Sequence, residues 1–526
     1  MKIVVADDLP ASAIDLLRAE GWAVDARSGR KPVELAADLG DADAIVVRSA
    51  TKVTAELIAG APRLRAIARA GTGVDNVDVD AASAHGIVVM NAPGANSISV
   101  AELAMGQLLA LARNIPAADA SMKQGKWDKK SFLGEEVRGK VLGLAGLGRI
   151  GQEMARRARS FEMTLVAHDP FISAQVARDL GVELVSLDAL CERADFLSLH
   201  MPSTPLTKHI FNAERFARCK PGIRIINTAR GDLIDDHALA AAIQRGTVGG
   251  AALDVFEQEP TVDHTLQMLP QVVATPHIAA STREGQELVG VETATALRDF
   301  LKTSIIRNAV NFPSVAPDEF QRLQPYITLA RQLGCLLGQT GDARIEGFSV
   351  RYYGELARAS NPLIVSAALV GLFRAILSES VTPVNAMAVA AGRGIEITES
   401  QSSRNRNYSS LISIKLRTSA GDRWVEGTVV RGEARLVNLN GVSIEAPLDG
   451  TMLLMMNNDQ PGVIGAVGTI LGRHHINIAS FALGRTAHGA VGVVNIDDEN
   501  GAGLSNAIVE EIRAANGVNE VWVARV

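Results

Sequence analysis

Short apolar runs alternate with helical patterns over the first 96 residues of the chain. The runs lie at Ile3–Ala6, Ala44–Val47, Leu64–Ala68 and Ile87–Met90. Apolar runs separated by helical segments predict βαβ units built around a parallel sheet. A long helical pattern from Ser97 to Ala120 follows, and we expect it to lead into a second domain.

The same alternation returns between residues 140 and 284 and predicts a second parallel sheet. Its candidate strands are the apolar runs Val141–Ala145, Thr164–Ala167, Phe196–Leu199, Ile223–Ile226, Gly250–Leu253 and Val272–Ala274. A helical pattern from Arg283 to Lys302 is expected to return to the first domain. Pro313 and Pro317 then mark a linker, because proline interrupts regular structure.

The last third of the chain changes character. From residue 318 to 446 the pattern predicts a helix at Glu319–Leu337, a strand at SVRYY, two further helices and three strands that end near Glu445. Residues 451–526 follow the order β-α-β-β-α-β, which is typical of a ferredoxin-like fold. We therefore expect an α/β protein with two doubly wound parallel-sheet domains (Rossmann or flavodoxin-like), an α+β intervening domain and a ferredoxin-like domain.

Length and charge narrow the class of protein. A chain of 526 residues has room for roughly three or four domains. Its net charge of -6 argues against a nucleic-acid partner, which usually meets a basic face. The three cysteines lack C-x-x-C spacing and predict neither a disulfide framework nor a metal site. Without a signal-peptide pattern or a membrane-spanning stretch, we expect a soluble, cytoplasmic protein that does not engage membranes.

A glycine-rich turn indicates a dinucleotide site. Gly146, Gly148 and Gly151 have G-x-G-x-x-G spacing between a predicted strand and a predicted helix. Such glycines let a pyrophosphate approach the helix N-terminus closely. Asp169 ends the next strand, near the position of a ribose-binding acid, and its charge would repel the 2′-phosphate of NADP. The motif therefore favours NAD as the cofactor.

Three residues supply the chemistry for a proton transfer beside a hydride transfer. Arg230 in INTARG can bind an anion, His277 in TPHIAAST has a titratable imidazole, and Glu259 in DVFEQEP can hold that imidazole. Each follows a predicted strand, and other polar residues share that placement or lie in the loop that follows: Arg48, Thr72, Asn96, Asp169 and Asp254. We expect them at the carboxyl edge of the sheets, where doubly wound folds bind ligands.

The ordered motifs RAGTGVDNVD, GLGRIG, NTARGDLID, ALDVFEQEP and TPHIAAST resemble those of the D-isomer-specific 2-hydroxyacid dehydrogenase family. With the long C-terminal extension, the chain resembles the long-form phosphoglycerate dehydrogenases within that family. The resemblance implies NAD-dependent oxidation of 3-phospho-D-glycerate to 3-phosphooxypyruvate, the first step of L-serine biosynthesis, with possible side reduction of 2-oxoglutarate. It also implies four domains: substrate-binding (1–96 with 285–312), NAD-binding (97–284), intervening (313–446) and ACT regulatory (447–526).

The resemblance implies a role for each site residue. Arg230 would bind the substrate carboxylate, His277 would take the hydroxyl proton, and Glu259 would orient His277. Arg149, Ile150, Thr228 and Asp254 would line the cofactor, with Asp254 near the nicotinamide amide; Thr72 would face the substrate and also belong to the cofactor site. Arg48 and Asn96 would face the substrate, and Arg48 with Arg69 or Lys129 would bind its phosphate. Ala279 stands where the family usually has glycine, two residues after the histidine.

The C-terminal segment NNDQPGVIGAVGTILGRHHINIASFALG resembles an ACT domain. Asn457, Asp459 and Asn477 match positions that bind serine across a dimer interface in this family, so L-serine is a candidate effector. The family resemblance also suggests a homotetramer, or at least a dimer through the connector helix. Two alternatives to this function stay open: a dehydrogenase for another D-2-hydroxyacid, and an NAD-sensing regulatory protein that would need no acid–base pair.

Overall fold

The computed structural model describes residues 1–315, 317–341, 343–358, 362–377, 381–402, 404, 407–486, 489–497 and 504–526. Their strands form four separate sheets. The first two sheets are parallel, the third is mixed and the fourth is antiparallel. The predicted fold class is confirmed.

The first sheet has five parallel strands in the order β2-β1-β3-β4-β5. This is the flavodoxin-like order. Strands β3 and β5 are buried along their whole length, as expected for parallel strands covered on both faces. The elements are β1 Lys2–Val5, α1 Ala11–Arg18, β2 Ala23–Ala26, α2 Pro32–Leu39, β3 Ala44–Val47, α3 Ala55–Ala59, β4 Ala66–Arg69, α4 Val79–Ala84 and β5 Val88–Met90.

The second sheet has seven parallel strands in the order β12-β11-β10-β9-β6-β7-β8. Its first six strands in chain order are arranged as in the dinucleotide-binding fold, with one strand added at the edge. The elements are β6 Val141–Ala145, α7 Arg149–Ser160, β7 Thr164–His168, α8 Ala174–Asp179, β8 Glu183–Leu184, α9 Leu187–Arg193, β9 Phe196–Leu199, α10 Ala213–Arg218, β10 Ile223–Asn227, α11 Asp236–Gln244, β11 Val248–Leu253 and β12 Val272–Ala274.

Two helices connect these sheets. The pattern predicted one helix from Ser97 to Ala120, but the structure has α5 at Ser97–Ala112 and α6 at Ile115–Lys123. The break occurs at Asn114, whose φ of 53° is left-handed, two residues before Pro116 in the first turn of α6. Helix α12, Arg283–Thr303, packs on α1, β4 and β5 and so returns to the first domain, as expected.

The third sheet has six strands in the order β14-β13-β15-β16-β17-β18. The prediction of three strands at the end of this unit was wrong, because four long antiparallel strands follow one another there. Tight turns that include Gly421, Gly432 and Gly441, all with positive φ, separate them. The elements are α13 Pro317–Gly338, β13 Ile345–Gly354, α14 Pro362–Ile376, α15 Ala386–Gly392, β14 Glu396–Ser402, β15 Ser410–Thr418, β16 Gly421–Val430, β17 Glu433–Leu439 and β18 Val442–Pro447.

The fourth sheet has the order β20-β21-β19-β22, the ferredoxin-like arrangement that the sequence predicted. Its strand Thr451–Asn457 is covered on both faces. Leu453 and Met455 pack against helices α16 and α17, whereas Met452 and Leu454 join the core of the third sheet. The elements are β19 Thr451–Asn457, α16 Val463–Arg473, β20 Ile478–Thr486, β21 Gly489–Ile496, α17 Asn506–Arg513 and β22 Val518–Arg525.

Apolar cores cross the boundaries between the domains. Val88 and Met90 of the first sheet share a buried cluster with Phe312 of the linker and Leu363 of α14. No helix in the described ranges is long and apolar enough to cross a membrane.

Helices α13 and α14 pack closely enough to require glycine at the contact. A Cβ on Gly371 would overlap the Arg331 carbonyl of α13. We predict that Gly371→Ala lowers the stability of this unit by about 1–3 kcal/mol, because the helices must separate. The measurement is the midpoint of urea unfolding.

Gly392 provides the matched control, because a Cβ there would meet nothing within 4 Å. Gly392→Ala is expected to keep or raise the midpoint, since alanine favours a helix over glycine by about 0.5–1 kcal/mol. Equal midpoints for Gly371→Ala and the unchanged protein would contradict the assigned contact.

Candidate active site

The carboxyl ends of the first two sheets face a common cavity of about 800 Å³. Arg48 and Arg69, at the ends of β3 and β4, line it from the first domain, with Asn96 beside them. Glu259 and His277, which follow β11 and β12, line it from the second domain. The cavity therefore lies between the two domains, at the edge where open α/β sheets bind ligands.

His277 and Glu259 form a hydrogen-bonded pair in this cavity. Glu259 Oε2 lies 2.6 Å from His277 Nδ1. This hydrogen bond raises the pKa of His277 above its ordinary 6.5, although burial and the charge of Arg230 oppose it. Burial acts to raise the pKa of Glu259, but hydrogen bonds from His277 and the Phe256 amide leave it lowered. Because Nδ1 is engaged by Glu259, Nε2 is the ring nitrogen that can meet a ligand.

Asp254 anchors the loop that carries His277. Its fully buried carboxylate accepts hydrogen bonds from the amides of Ile278 (2.9 Å) and Ala279 (2.8 Å) and from the Thr275 hydroxyl (2.5 Å). The His277 amide donates to the Asp254 carbonyl oxygen at 2.8 Å. Asp254, which the sequence placed near the nicotinamide, thus lies behind the histidine loop and fixes its backbone.

The left-handed residue of this loop is His277 rather than Ala279. His277 has a φ of 52°, whereas Ala279 is not among the residues with positive φ. Ala279 is buried and its amide reaches Asp254. Alanine at this position therefore needs no strained backbone, and the loop keeps its hydrogen bonds without the glycine that is usual in the family.

The guanidinium groups of Arg48 and Arg69 line the first-domain side of the cavity, and that of Arg230 lies near Arg69 without lining the cavity. Arg230 Nε and Nη2, from the loop after β10, each lie 3.1 Å from Asp75 Oδ2. Burial, and then the charges of Arg230 and Arg48, lower the pKa of Arg69 to about 10. Arg69 Nε is buried and has no hydrogen-bond partner within the described ranges. Such crowded positive charge favours an anionic ligand.

The sequence did not reveal the residues that hold the backbone around Arg48 in place. Asp7, which is buried, accepts a hydrogen bond from the Arg48 amide at 2.5 Å, and Asn76 donates to the Arg48 carbonyl at 2.6 Å. Asp7 follows β1, so its place at a strand end was a usable signal. Thr72 donates to Asn96 Oδ1 at 2.9 Å, which joins two predicted residues. Lys129 is exposed and is not among the residues that line the cavity.

The glycine-rich turn has the geometry of a phosphate cradle. Gly146 has a φ of 99°, and a Cβ on Gly151 would overlap the Gly146 carbonyl. Gly148 is the N-cap of α7, and a Cβ there would meet nothing within 4 Å, so space is open at the helix N-terminus. Asp169 accepts hydrogen bonds from the amides of Leu147 (2.8 Å) and Phe171 (2.9 Å), which ties the ribose-side acid to the turn.

The other predicted cofactor residues surround this turn. Arg149 is exposed in the first turn of α7 and donates to the Pro93 carbonyl of the first domain. Ile150 is half-buried beside it. Thr228 is buried, and its hydroxyl has no hydrogen-bond partner in the part of the chain that the structure describes. An open cradle and an unpaired buried hydroxyl fit a dinucleotide.

The candidate effector residues do not form one site within a single chain. Asn457 accepts a hydrogen bond from the Asp459 amide at 2.9 Å, and Asp459 pairs with Arg485 at 3.1 Å. Asn477 precedes β20 at the other end of the sheet, where its amide donates to Asp497. The strand between them spans roughly 20 Å. Asn457 and Asp459 therefore meet Asn477 only if two chains come together.

Comparison with known proteins identifies the parts of the chain. Residues 105–279 match the NAD-binding domain of the D-isomer-specific 2-hydroxyacid dehydrogenases. Residues 322–440 match the D-3-phosphoglycerate dehydrogenase intervening domain, and residues 451–517 match the ACT domain. The resemblance that the motifs indicated is confirmed.

Similar proteins span almost the whole chain. D-3-phosphoglycerate dehydrogenase from Synechocystis is 41% identical and aligns over 100% of this chain and 94% of its own. The enzyme of that name from Methanocaldococcus jannaschii is 41% identical, with 99% of each chain covered. Among solved structures, a glyoxylate reductase from Paecilomyes thermophila is 29% identical and superposes with a TM-score of 0.55, covering 61% of this chain and 99% of its own.

The hydrogen bond from the Glu259 carboxylate, and then its charge, raise the pKa of His277. We predict that Glu259→Gln lowers this pKa, because burial and Arg230 then act with less opposition. The measurement is a pH titration of the histidine ring by NMR, with His277 assigned by its own substitution. Glu257→Gln is the control, since Glu257 pairs with His209 at 2.7 Å instead. A His277 titration that is unchanged in Glu259→Gln would refute the pairing.

Proposed function

Because the chain belongs to the D-3-phosphoglycerate dehydrogenase family, we propose that it oxidises 3-phospho-D-glycerate to 3-phosphooxypyruvate, the first step of serine biosynthesis. NAD, when bound, supplies the hydride acceptor. The main observation behind the proposal is that the same cavity is lined by the His277–Glu259 pair and by Arg48 and Arg69. An acid–base pair beside an anion site suits a phosphorylated hydroxyacid.

We propose that His277 acts as the base. Its Nε2 takes the proton of the substrate C2 hydroxyl while the C2 hydrogen leaves as hydride and the C–O bond becomes a carbonyl. Glu259 stabilises the imidazolium that forms. Below the pKa of His277 the ring is already protonated, so oxidation weakens as the pH falls through that value, and reduction is favoured there.

Different arginines would bind the two anionic groups of the substrate. The charge of Arg230 acts on the His277 imidazole, so Arg230 suits the carboxylate and the reacting oxygen. Arg48 and Arg69 lie deeper in the first domain and suit the phosphate, with Asn96 and Thr72 beside them. A phosphate on the substrate, in addition to its carboxylate, accounts for three guanidinium groups lying close together. An unphosphorylated hydroxyacid would not require three.

The cofactor assignment uses the second sheet. Gly146, Gly148 and Gly151 would hold the pyrophosphate, Asp169 the ribose hydroxyls, and Arg149, Ile150 and Thr228 the remaining surface. Thr72 would approach the nicotinamide from the first domain. Asp254 would act beside the nicotinamide mainly through the loop that it anchors.

We propose the domain boundaries that the family resemblance implies. Residues 1–96 with 285–312 would bind the substrate, and 97–284 the cofactor. Residues 313–446 would form the intervening domain and 447–526 the regulatory one. We place the protein in the cytoplasm, as its family membership suggests.

A homo-oligomer is supported by the connector region. Helix α6 has no buried residue, and large apolar side chains around it are exposed: Ile115 and Met122 (each 53%), Trp127 (85%) and Leu133 (90%). A short helix without a buried face gains little stability in isolation. We propose that a second copy of the chain covers it, as a dimer or tetramer.

Removal of the proposed base tests the reaction. We predict that His277→Ala lowers kcat for NADH formation from 3-phosphoglycerate by about 10²–10⁴-fold, the usual contribution of a general base. The assay is NADH absorbance. His85→Ala, at an exposed position far from the cavity, should keep full activity. An equally active His277→Ala would eliminate the enzymatic role assigned to this residue.

The effector proposal predicts that L-serine lowers the activity. Asp459→Ala and Asn477→Ala should each weaken this response without changing NADH formation in its absence, because both lie in the regulatory domain. L-Alanine, which lacks the hydroxyl, serves as the ligand control. Activity that serine leaves untouched at all concentrations would show that these residues do not form a serine site.

A further inference from the structure

The loop that carries His277 is tied at both ends to helix α5. Near its start, the Gln107 side-chain amide donates to Thr275 Oγ1 at 3.0 Å. Near its end, the hydroxyls of Ser99 and Thr282 lie 2.7 Å apart. Gln107 and Ser99 are both buried, so water does not compete for these hydrogen bonds.

The Thr275 hydroxyl has only one proton, and this determines which partner donates in its hydrogen bond with Gln107. Thr275 Oγ1 lies 2.5 Å from the carboxylate of Asp254, a distance that requires the single hydroxyl proton to point at Asp254. The other contact of the hydroxyl must then supply a proton, and only the NH₂ end of Gln107 can do so. Gln107, Thr275 and Asp254 therefore form a directed chain of donors.

The chain ends at the backbone of the proposed base. The Asp254 carboxylate also accepts from the amides of Ile278 and Ala279, and its carbonyl accepts from the amide of His277. Since His277 has a left-handed φ, its ring direction depends on these backbone contacts. A displaced Asp254 would move the imidazole relative to the substrate hydroxyl.

A buried glutamine is an unexpected residue for this helix. Gln107 is 4% exposed within an otherwise apolar segment of α5, and its Oε1 has no hydrogen-bond partner among the described residues. Leaving an acceptor unpaired costs stability, so the site gains nothing from glutamine except the donated hydrogen bond.

We propose that Gln107 is a positioning residue for the oxidation, which holds the His277 loop in its reactive position through Thr275 and Asp254. This inference rests on the proposed function, because it assumes that His277 takes the substrate proton. It assigns helix α5 a part in the reaction: the helix whose N-cap is Asn96, proposed to face the substrate, also sets the position of the base.

The experiment compares Gln107→Leu, Thr275→Val, the double variant and Thr275→Ser in NADH formation from 3-phosphoglycerate. Gln107→Leu removes one hydrogen bond of the chain and should lower kcat about three- to tenfold, and Thr275→Val removes both and should lower kcat at least as much. KM and the dissociation constant of NADH should stay within about twofold, because the arginines and the glycine turn are untouched. Thr275→Ser keeps the hydroxyl and should restore kcat.

Two further measurements distinguish a positioning role of Gln107 from a general effect on packing. The kinetic isotope effect on kcat with C2-deuterated substrate should rise in Gln107→Leu and Thr275→Val, since hydride transfer becomes slower relative to product release. In the double variant the loss of kcat should equal that of Thr275→Val alone, because both changes break one chain.

Thr293→Val is the matched control. Thr293 is buried in α12, and its hydroxyl has no hydrogen-bond partner within the described ranges. It should keep the kcat and the isotope effect of the unchanged protein, which shows that loss of a buried hydroxyl is not itself harmful.

The outcomes distinguish the two proposals. An unchanged protein that forms no NADH from 3-phosphoglycerate would overturn the proposed function. An active protein whose Gln107→Leu variant keeps its kcat and isotope effect, or whose two substitutions multiply, would overturn the role of Gln107 alone. Thr275→Ser and the melting temperature of each variant identify any that fail to fold.

Discussion

The carboxyl edges of two parallel sheets face each other across one cavity, and the whole candidate site depends on that alignment. The first sheet contributes Arg48 and Arg69, and the second contributes Arg230, the His277–Glu259 pair and the glycine turn. Neither sheet holds a complete site. The alignment is maintained by α5, which packs on the second sheet, and α12, which packs on the first. The loop of His277 lies between these helices, so the base sits where the two domains are joined.

The sequence predicted the strands of this framework well because a buried parallel strand is a continuous apolar run. Ala44–Val47 and Val141–Ala145 were placed correctly to the residue. Strand β2, Ala23–Ala26, was not predicted, since none of its residues is fully buried and its AVDA pattern is mixed. The α5–α6 break was also missed, because it depends on the backbone conformation of one residue, Asn114.

The sequence predicted which residues belong to the site and the sheet edge where they lie, but not which side chains contact each other. Strand-end placement located Arg230, Glu259 and His277, and the structure puts Glu259 and His277 within hydrogen-bond distance. The supporting residues Asp7, Asn76 and Gln107 gave weaker signals, since each is one polar residue whose partner lies far along the chain. Only the folded chain shows that Asp254 has its carboxylate behind the loop.

The fourth sheet has a consequence for modularity. An antiparallel sheet with helices on one face usually leaves the other face to water, yet here Met452, Leu454 and Val493 complete the core of the third sheet. The run MLLMM after Thr451, apolar at successive positions, already reflects two covered faces. Residues 451–526 are thus not a detachable sensor. A chain shortened before Thr451 would expose an apolar surface on the third domain. A change that removes or replaces residues 451–526 would therefore also require polar substitutions on that surface.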